Sequence, residues 1–399
     1  MKALLLEHVH PKAYPVLKAG GIEYQVEDRG LTEDELVEAL KGVSVLGIRS
    51  RTMITKRILS AAPDLLAVGA YCIGTNQIDL ESASLRGVAV FNAPFSNTRS
   101  VAELVIAEII FLIRGLYDKV VKAHAGAWDK STKHAREVRG KKLGVIGYGN
   151  IGSQVSALAE AMGMNVYYYD VVDKLTIGNA TRVASLPELL SIAEIITVHV
   201  DGNPNNTNLI GARELEAMND GTILLNLSRG HVVDIEALAT AIRSGKIAGA
   251  AVDVFPVEPR DGNEALHSPL QGLPNVLLTP HIGGSTEEAQ ENIAEFVSTK
   301  LVDYVRTGTT FTSVNFPKIS PSKPEDPHAH RLLHVHQNVP GVLSQINGIF
   351  AKNNVNVLTQ YLRTNELIGY VVADVDRRYE DSLFGDLQHV AHTIRVRLV

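Results

Sequence analysis

A glycine-rich turn in the middle of the chain constrains its fold more than any other feature. Gly147, Gly149 and Gly152 form a GxGxxG pattern between the apolar segment 143–146 and a helical pattern. A second apolar segment ends at Asp170, eighteen residues past the last glycine. A strand, such a turn, a helix and an acid after the next strand make up the βαβ unit that binds dinucleotides. The sequence therefore predicts a doubly wound parallel sheet with a dinucleotide site.

Each glycine of this turn has its own physical task. The first allows a tight turn, the second lets the backbone approach a pyrophosphate, and the third lets the helix pack on the strand. The helix start offers free amides and the positive end of its dipole to the phosphates. Asp170 would accept hydrogen bonds from the adenosine ribose and repel a 2′-phosphate, which predicts NAD rather than NADP. The alternative is a glycine turn that binds nothing.

Composition excludes several classes of protein. The chain has 399 residues, of which 45% are hydrophobic and 21% charged, so it can build two to three domains. A net charge of −6 gives no global reason to bind nucleic acid or an anionic membrane. Cys72 is the one cysteine, which excludes an intramolecular disulfide and a cysteine-based zinc site. No apolar stretch approaches the roughly 20 residues of a membrane span, so we expect a cytoplasmic protein.

Strand and helix patterns alternate over the first three quarters of the chain, which is typical of α/β domains. The predicted strands are 3–6, 45–48, 66–70, 88–91, 143–146, 166–169, 195–200, 222–226, 249–254 and 276–278. Capping boxes at Thr32–Glu35 and Ser100–Glu103 predict helix starts. The second of these helices, to about Tyr117, is apolar nearly all round, and we expect it to be buried between domains or subunits.

A change of composition after Asn315 separates a C-terminal part. Four prolines among polar residues in 317–330 predict a semi-extended linker. Beyond it the predicted order is strand 331–336, helix 342–353, strands 355–361 and 369–375, helix 382–391 and strand 393–398. This βαββαβ order is ferredoxin-like.

Three ionisable residues follow successive strands of the predicted dinucleotide-binding part. Arg229, Glu258 and His281 lie in turns after the strands that end at 226, 254 and 278. Ligands of open α/β sheets bind outside the carboxyl ends of strands, so these side chains can meet there. The histidine can exchange a hydroxyl proton, the carboxylate can orient the imidazole, and the arginine can hold a substrate carboxylate. Each alone is more simply an ordinary loop residue, but together they indicate hydride transfer.

These segments resemble the D-isomer-specific 2-hydroxyacid dehydrogenase family, whose catalytic Arg, Glu and His fall on the three residues just named. The resemblance covers nearly the whole chain and is strongest to bacterial members with a C-terminal ACT domain. It rests on Gly47–Thr52, Cys72–Asn76, Phe91–Glu103 and His281–Asn292. It implies a Rossmann domain, a split flavodoxin-like domain and an ACT domain. The split domain, residues 1–97 and 291–315, would bind the substrate, and the Rossmann domain, residues 98–290, would bind NAD. The linker would be 316–330 and the ACT domain 331–399.

The same resemblance implies the residues of each site. NAD contacts would fall on Gly147, Gly149, Asn150, Ile151, Gly152, Asp170, Leu227, Ser228, Arg229, Asp253, His281, Ile282, Gly283 and Gly284, with Asp253 on the nicotinamide carboxamide. Substrate contacts would fall on Arg49, Ser50, Asn97 and Gln290. An amino-acid effector, usually L-serine, would bind His336, Asn338 and Asn356 between paired ACT domains.

Two clusters of charged or metal-ligating residues have competing interpretations. Arg49 and Arg51 follow an apolar strand, and their spacing alone favours a solvated strand end over a phosphate cradle. The resemblance favours the phosphate. Histidines 328, 330, 334 and 336 resemble a zinc site, but a mobile linker does not hold its side chains in the fixed geometry that zinc requires. We therefore expect no metal.

The resemblance implies NAD-dependent oxidation of 3-phospho-D-glycerate to 3-phosphooxypyruvate, the first step of L-serine biosynthesis, under feedback by L-serine. One alternative is a reductase for another 2-oxo acid, such as hydroxypyruvate or 2-oxoglutarate. Another is a catalytically silent, NAD-sensing regulatory protein, since dinucleotide folds also host non-enzymes. The apolar helix and paired ACT domains predict a homo-oligomer, most simply a tetramer.

Overall fold

The computed structural model describes residues 1–259, 264–324, 326, 328–376 and 381–399. Their contacts divide the chain into two compact units. The first unit consists of residues 1–96 and 290–399, and the second unit of residues 97–289. Within the described residues no helix is long and apolar enough to cross a bilayer.

The strands fall into three sheets. In chain order they are β1 (Lys2–Leu6), β2 (Glu23–Glu27), β3 (Val45–Ile48), β4 (Ala67–Ala70), β5 (Ala89–Phe91), β6 (Lys142–Ile146), β7 (Asn165–Tyr169), β8 (Thr181–Arg182), β9 (Ile195–Val198), β10 (Thr222–Asn226), β11 (Ile247–Val252), β12 (Val276–Leu278), β13 (His330–Gln337), β14 (Val357–Thr364), β15 (Ile368–Val375) and β16 (Thr393–Leu398).

Helices cover the faces of these sheets. They are α1 (Ala13–Ala19), α2 (Glu33–Ala39), α3 (Lys56–Ala61), α4 (Leu80–Leu85), α5 (Thr98–Ile113), α6 (Leu116–His124), α7 (Asn150–Ala161), α8 (Leu186–Ile192), α9 (Ala212–Ala217), α10 (Ile235–Arg243), α11 (Glu287–Thr307), α12 (Val342–Lys352) and α13 (Asp381–Gln388).

The second unit is built on a parallel sheet with the strand order β12-β11-β10-β9-β6-β7-β8. Alternate residues of its strands enter two cores, because successive side chains of a strand point to opposite faces. Leu143 and Val145 join the core beneath α5 and α7, whereas Ile146 joins the core that contains residues of α8–α10. The chain order reverses between β6 and β9, which is where open α/β sheets bind their ligands.

The first unit contains two sheets. Its parallel sheet has the order β2-β1-β3-β4-β5, and its antiparallel sheet has the order β14-β15-β13-β16. One core joins them, with Leu5 of β1, Leu301 of α11 and Leu333 of β13 among its members. Helices α12 and α13 contribute to the core on the other face of the antiparallel sheet. The predicted α/β class and the C-terminal βαββαβ order are confirmed.

The expected capping box at Ser100 is wrong. Helix α5 begins at Thr98 after Asn97, and no side chain caps it. The Ser100 hydroxyl instead hydrogen-bonds that of Thr286 at 2.8 Å, and Glu103 pairs with Arg99. The helix ends at Ile113, and the left-handed Gly115 separates it from α6. Within the second unit α5 packs on α7 and on β10–β12, so most of its apolar residues enter this unit's own core.

The start of the predicted linker is anchored on the first unit. Phe316 and Ile319 are buried in the core of the first unit. Thr310 fixes this stretch, because its hydroxyl donates to the carbonyl of Pro317 at 2.6 Å. Residues 325 and 327 of the predicted linker lie outside the described residues.

Candidate functional site

The glycine turn of the second unit has the geometry that a pyrophosphate requires. Gly147 follows β6 with φ of +88°, a left-handed conformation that favours glycine. A Cβ on Gly152 would overlap the carbonyl oxygen of Gly147, so only glycine lets α7 pack this closely. A Cβ on Gly149 would meet no protein atom within 4 Å. This open space at the start of α7, beside free amides, fits the phosphates of NAD.

Asp170 joins the end of β7 to the glycine turn. Its carboxylate accepts the backbone amides of Tyr148 and Val172, both at 2.8 Å. The side chain remains half-exposed, and each carboxylate oxygen can accept more than one hydrogen bond. Its predicted contact with the ribose hydroxyls is compatible with this arrangement and remains a prediction.

A buried asparagine shapes the turn that carries Arg229. The Asn226 side chain accepts the amide and hydroxyl of Ser228, at 3.1 and 2.8 Å, and donates to the carbonyl of Arg229 at 3.0 Å. The Arg229 side chain donates from Nη1 to the carbonyl of Ser228 at 2.7 Å and is half-buried. Leu227 is buried in the core beneath. Three hydrogen bonds of the Asn226 side-chain amide therefore fix the loop after β10.

Asp253 organises the loop that carries His281. Its carboxylate is 1% exposed and accepts the Thr279 hydroxyl at 2.6 Å and the amides of Ile282 and Gly283, both at 2.8 Å. The structure thus gives Asp253 three donors from the loop after β12. Its predicted contact with nicotinamide stays a prediction, whereas its hold on this loop is observed.

Glu258 and His281 form a hydrogen-bonded pair. The distance from His281 Nδ1 to Glu258 Oε2 is 2.8 Å, and Glu258 Oε1 accepts the amide of Phe255 at 3.1 Å. His281 itself has φ of +54°, a left-handed conformation that is rare for a residue with a side chain. Nδ1 is thus engaged, and Nε2 is the ring nitrogen left to exchange a proton with a substrate.

The electrostatics of this pair favour the charged form of the histidine. The hydrogen bond that His281 donates to Glu258, and the negative charge of that carboxylate, raise the pKa of His281. Partial burial works to raise the pKa of Glu258, but hydrogen bonds from His281 and from Phe255 outweigh it and hold that pKa below its ordinary value. The arrangement is that of a general base supported by a carboxylate.

Sequence reasoning missed a buried acid on α5. Glu108 is 4% exposed, and neither carboxylate oxygen has a hydrogen-bond partner among the described residues. Burial and the negative charge of Asp253 raise its pKa to about 8, so it is protonated at neutral pH. Its one sequence signal was an acid within an apolar helix pattern.

The predicted substrate residues are divided between the two units. Asn97 belongs to the second unit, where a Cβ on Gly284 would overlap its side chain. Arg49, Ser50 and Gln290 belong to the first unit. Arg49 is half-buried and Ser50 is exposed directly after β3.

The predicted effector residues lie in the C-terminal sheet domain. His336 is buried, its Nδ1 is 2.7 Å from the carbonyl of Gln337, and its ring lies over Gly369, where a Cβ would overlap it. Asn338 and Asn356 are exposed. Among the described residues no three histidine, cysteine or acidic side chains converge as a metal site.

Two family profiles match the chain. Residues 106–283 match the D-isomer specific 2-hydroxyacid dehydrogenase, NAD binding domain, and residues 332–395 match the AHAS small subunit-like ACT domain. These matches agree with the dinucleotide turn and with the C-terminal βαββαβ order.

Curated relatives match over the full chain. D-3-phosphoglycerate dehydrogenase of Haemophilus influenzae is 50% identical over 100% of this chain and 97% of its own length. The protein of the same name from Escherichia coli is 48% identical with the same coverage. D-3-phosphoglycerate dehydrogenase 1 of Saccharomyces cerevisiae is 45% identical over 100% of this chain and 87% of its own length.

Solved structures share the fold of most of the chain. The TT0316 protein from Thermus thermophilus has a TM-score of 0.71 and 31% identity, and covers 79% of this chain and 100% of its own. D-lactate dehydrogenase from Aquifex aeolicus, complexed with NAD and lactic acid, has a TM-score of 0.67 and 26% identity with the same coverage. With the hydrogen-bonded His–Glu pair and the glycine turn in one unit, the chain belongs to the D-isomer specific 2-hydroxyacid dehydrogenase family.

Proposed function

We propose that the protein oxidises 3-phospho-D-glycerate to 3-phosphooxypyruvate with NAD, the first step of L-serine biosynthesis. The observation that carries this proposal is the His281–Glu258 pair, held at 2.8 Å in the unit that also contains the glycine turn and Arg229. The names of the relatives at 45–50% identity supply the substrate.

The residues of the second unit divide the chemistry between them. His281 removes the proton of the C2 hydroxyl through Nε2, and Glu258 stabilises the imidazolium that results. Arg229 binds the substrate carboxylate through the part of its guanidinium that its own turn leaves free. The chemistry that NAD supplies when bound is acceptance of the hydride that leaves C2.

Phosphate recognition falls to the first unit in this proposal. Arg49 and Ser50, with Arg51, bind the phosphate, because guanidinium groups match the geometry of its oxygens. Asn97 and Gln290 complete the substrate contacts. The position of the two arginines directly after β3, at the carboxyl edge of a parallel sheet, supports this assignment.

The C-terminal domain regulates the enzyme in this proposal. L-serine binds at His336, Asn338 and Asn356 between the ACT domains of two subunits, and the enzyme is a homotetramer. The match of 332–395 to an ACT domain supports a ligand-binding role. Serine would then act at a site distinct from that of the substrate, which is allosteric inhibition.

A direct assay tests the catalytic assignment. Purified protein with NAD and 3-phospho-D-glycerate should produce NADH, followed by its absorbance. His281→Ala should abolish turnover while NAD still binds, and His124→Ala, on the exposed end of α6, should retain wild-type turnover. Turnover by His281→Ala at the wild-type rate would refute the assignment. Activity on unphosphorylated acids alone would refute the phosphate site instead.

Serine titration tests the regulatory assignment. Added L-serine should suppress NADH production by the wild type, and Asn338→Ala should remove that inhibition without changing turnover in its absence. Inhibition that survives in Asn338→Ala would place the effector elsewhere. Sedimentation of the same preparation measures the number of subunits.

A further inference from the structure

Glu7 connects two strand ends of the first unit. It follows β1 directly, and it is 5% exposed. Its carboxylate accepts two backbone amides from the loop after β3, that of Arg51 at 3.0 Å and that of Thr52 at 2.7 Å. An acid near the start of the chain thus holds a loop that lies more than forty residues away.

The position of this clamp in the fold is where a ligand is expected. The sheet order β2-β1-β3-β4-β5 reverses between β1 and β3, and these strands are parallel, with Leu5 opposite Gly47. Sheets of this order bind their ligands at that reversal, outside the carboxyl ends of the strands. Glu7 and the loop of residues 49–52 occupy the two sides of the reversal.

The backbone at Glu7 is held in an uncommon conformation. Glu7 has φ of +62° and His8 has φ of +53°, and consecutive left-handed residues with side chains are rare. The amide of Glu7 donates to the carbonyl of Glu27 at the end of β2, at 3.1 Å. The backbone of Glu7 is thus bonded to β2, while its carboxylate bonds the loop after β3. Such strain persists where surrounding contacts enforce it, and it is concentrated at functional sites.

The clamp leaves the charges of the loop available. Gln77 donates to the carbonyl of Arg49 at 2.6 Å, so bonds to the main chain hold both ends of the loop. The Glu7 carboxylate hydrogen-bonds to main-chain amides of the loop and not to its guanidinium groups. In the described part of the chain other arginines form ion pairs, but neither Arg49 nor Arg51 does. Two neighbouring guanidinium groups without a carboxylate partner suit a phosphate dianion.

We propose that Glu7 is a positioning residue for phosphate recognition. Its carboxylate fixes the backbone of residues 49–52, and thereby holds the guanidinium groups of Arg49 and Arg51 ready for the substrate phosphate. The inference rests on the proposed oxidation of 3-phospho-D-glycerate. It adds a specificity determinant that acts through other residues and touches neither substrate nor NAD.

The variant Glu7→Gln tests the clamp. A glutamine has one acceptor oxygen, so one of the two amides loses its partner and the loop loosens. We expect KM for 3-phospho-D-glycerate to rise about tenfold, the effect of one lost charge-assisted hydrogen bond. The values of kcat and of KM for NAD should stay within about twofold, and kcat/KM for D-glycerate, which lacks the phosphate, should not change. Glu23→Gln, on the exposed strand β2, is the matched control and should behave as wild type.

A double-mutant cycle excludes a general structural effect. In a background that carries Arg49→Ala and Arg51→Ala, Glu7→Gln should no longer change KM, because its effect passes through those side chains. If Glu7→Gln does not fold, Glu7→Asp, which retains the charge on a shorter side chain, replaces it in the same comparison.

The outcomes separate this inference from the function on which it rests. A wild-type protein that does not oxidise 3-phospho-D-glycerate would overturn both. An active wild type with an unchanged KM in Glu7→Gln would overturn the clamp alone. Equal losses for 3-phospho-D-glycerate and D-glycerate, or an undiminished effect without the two arginines, would also overturn it, since Glu7 would then act on folding.

Discussion

Buried carboxylates organise both proposed binding loops, and in each case they bind main-chain amides. Asp253 accepts two amides and a hydroxyl from the loop of His281, and Glu7 accepts two amides from the loop of Arg49. A charged acceptor forms stronger hydrogen bonds than a neutral one, so few residues suffice to fix a loop. Glu258 is different, because it contacts the side chain of the proposed general base, His281.

The pH dependence of turnover should reveal the Glu258–His281 pair. Oxidation needs an unprotonated His281, so kcat/KM should rise with pH through the raised pKa of that residue. Glu258→Gln removes the charge that raises this pKa, so the rise should occur at lower pH, and kcat should fall by about 10²-fold. Glu236→Gln, at the exposed start of α10, is the control. An unshifted pH profile for Glu258→Gln would contradict the pairing.

Glu108 should make the protein less stable as pH rises. Its pKa is about 8 in the folded state and near 4.5 when unfolded, so between these values the folded state binds a proton that the unfolded chain releases. The free energy of unfolding therefore falls with rising pH, by up to about 1.4 kcal/mol per pH unit from this residue.

Urea unfolding of Glu108→Gln at pH 5, 6.5 and 8 measures that contribution. The variant cannot ionise, so its stability relative to wild type should increase with pH, by about 1–3 kcal/mol between pH 5 and 8. Glu103→Gln, on the exposed face of the same helix, should follow the wild-type curve. Parallel curves for Glu108→Gln and wild type would show that Glu108 is ionised in the folded protein.

Successive parallel strands place the proposed catalytic side chains of the second unit at one edge of the sheet. Strands β10, β11 and β12 are neighbours, and the loops after them carry Arg229, Glu258 and His281. The start of α7, after β6, opens at the carboxyl edge of the same sheet. The parallel sheet therefore collects residues that are far apart in sequence.

Gly149→Ala should separate cofactor binding from folding. Gly149 has ordinary extended backbone angles and no protein atom within 4 Å of an added Cβ, so the thermal unfolding midpoint should not change. In the proposed site the NAD pyrophosphate needs this space, so the affinity for NAD, measured by titration calorimetry, should fall at least tenfold. Gly211→Ala, at the start of α9 with similar backbone angles, should retain affinity. Unchanged NAD affinity in Gly149→Ala would place the pyrophosphate elsewhere.

The buried strands could be predicted because their apolar runs can be recognised in the sequence alone. Sequence reasoning missed β2, whose residues are mostly exposed, because an edge strand of this kind shows no apolar pattern. It misplaced the start of α5, because Ser100 bonds to Thr286, a partner 186 residues away that local spacing cannot reveal. The same reason hid the clamp by Glu7, whose partners lie more than forty residues away. The Arg, Glu and His positions followed from strand ends and resemblance.

In the first unit a single core joins the parallel sheet, α11 and the C-terminal sheet. A buried ion pair reinforces this core. Arg331 and Asp374 are 5% and 4% exposed, with N–O distances of 2.7 and 2.8 Å. Arg331 also donates to the carbonyl of Thr307 at the end of α11. The C-terminal sheet is therefore tied to the rest of its unit by polar as well as apolar contacts.

Asp374→Asn should destabilise the first unit strongly. It leaves the buried charge of Arg331 without its counterion, at a cost of about 3–5 kcal/mol in the free energy of unfolding. The midpoint of urea unfolding measures this loss. Asp303→Asn, which breaks a surface pair with Lys300, should change stability by less than about 1 kcal/mol. A small loss in Asp374→Asn would show that the core alone holds the C-terminal sheet.

The two-unit division has an evolutionary consequence. Residues proposed for hydride transfer lie within 97–289, whereas the proposed phosphate loop and effector residues lie in the rest of the chain. Mutations in the first unit can therefore alter which acid is accepted, or which metabolite inhibits, while the redox machinery keeps its own core and its own hydrogen bonds. A chain built this way can acquire a new substrate by drift in one half, with the other half inherited unchanged.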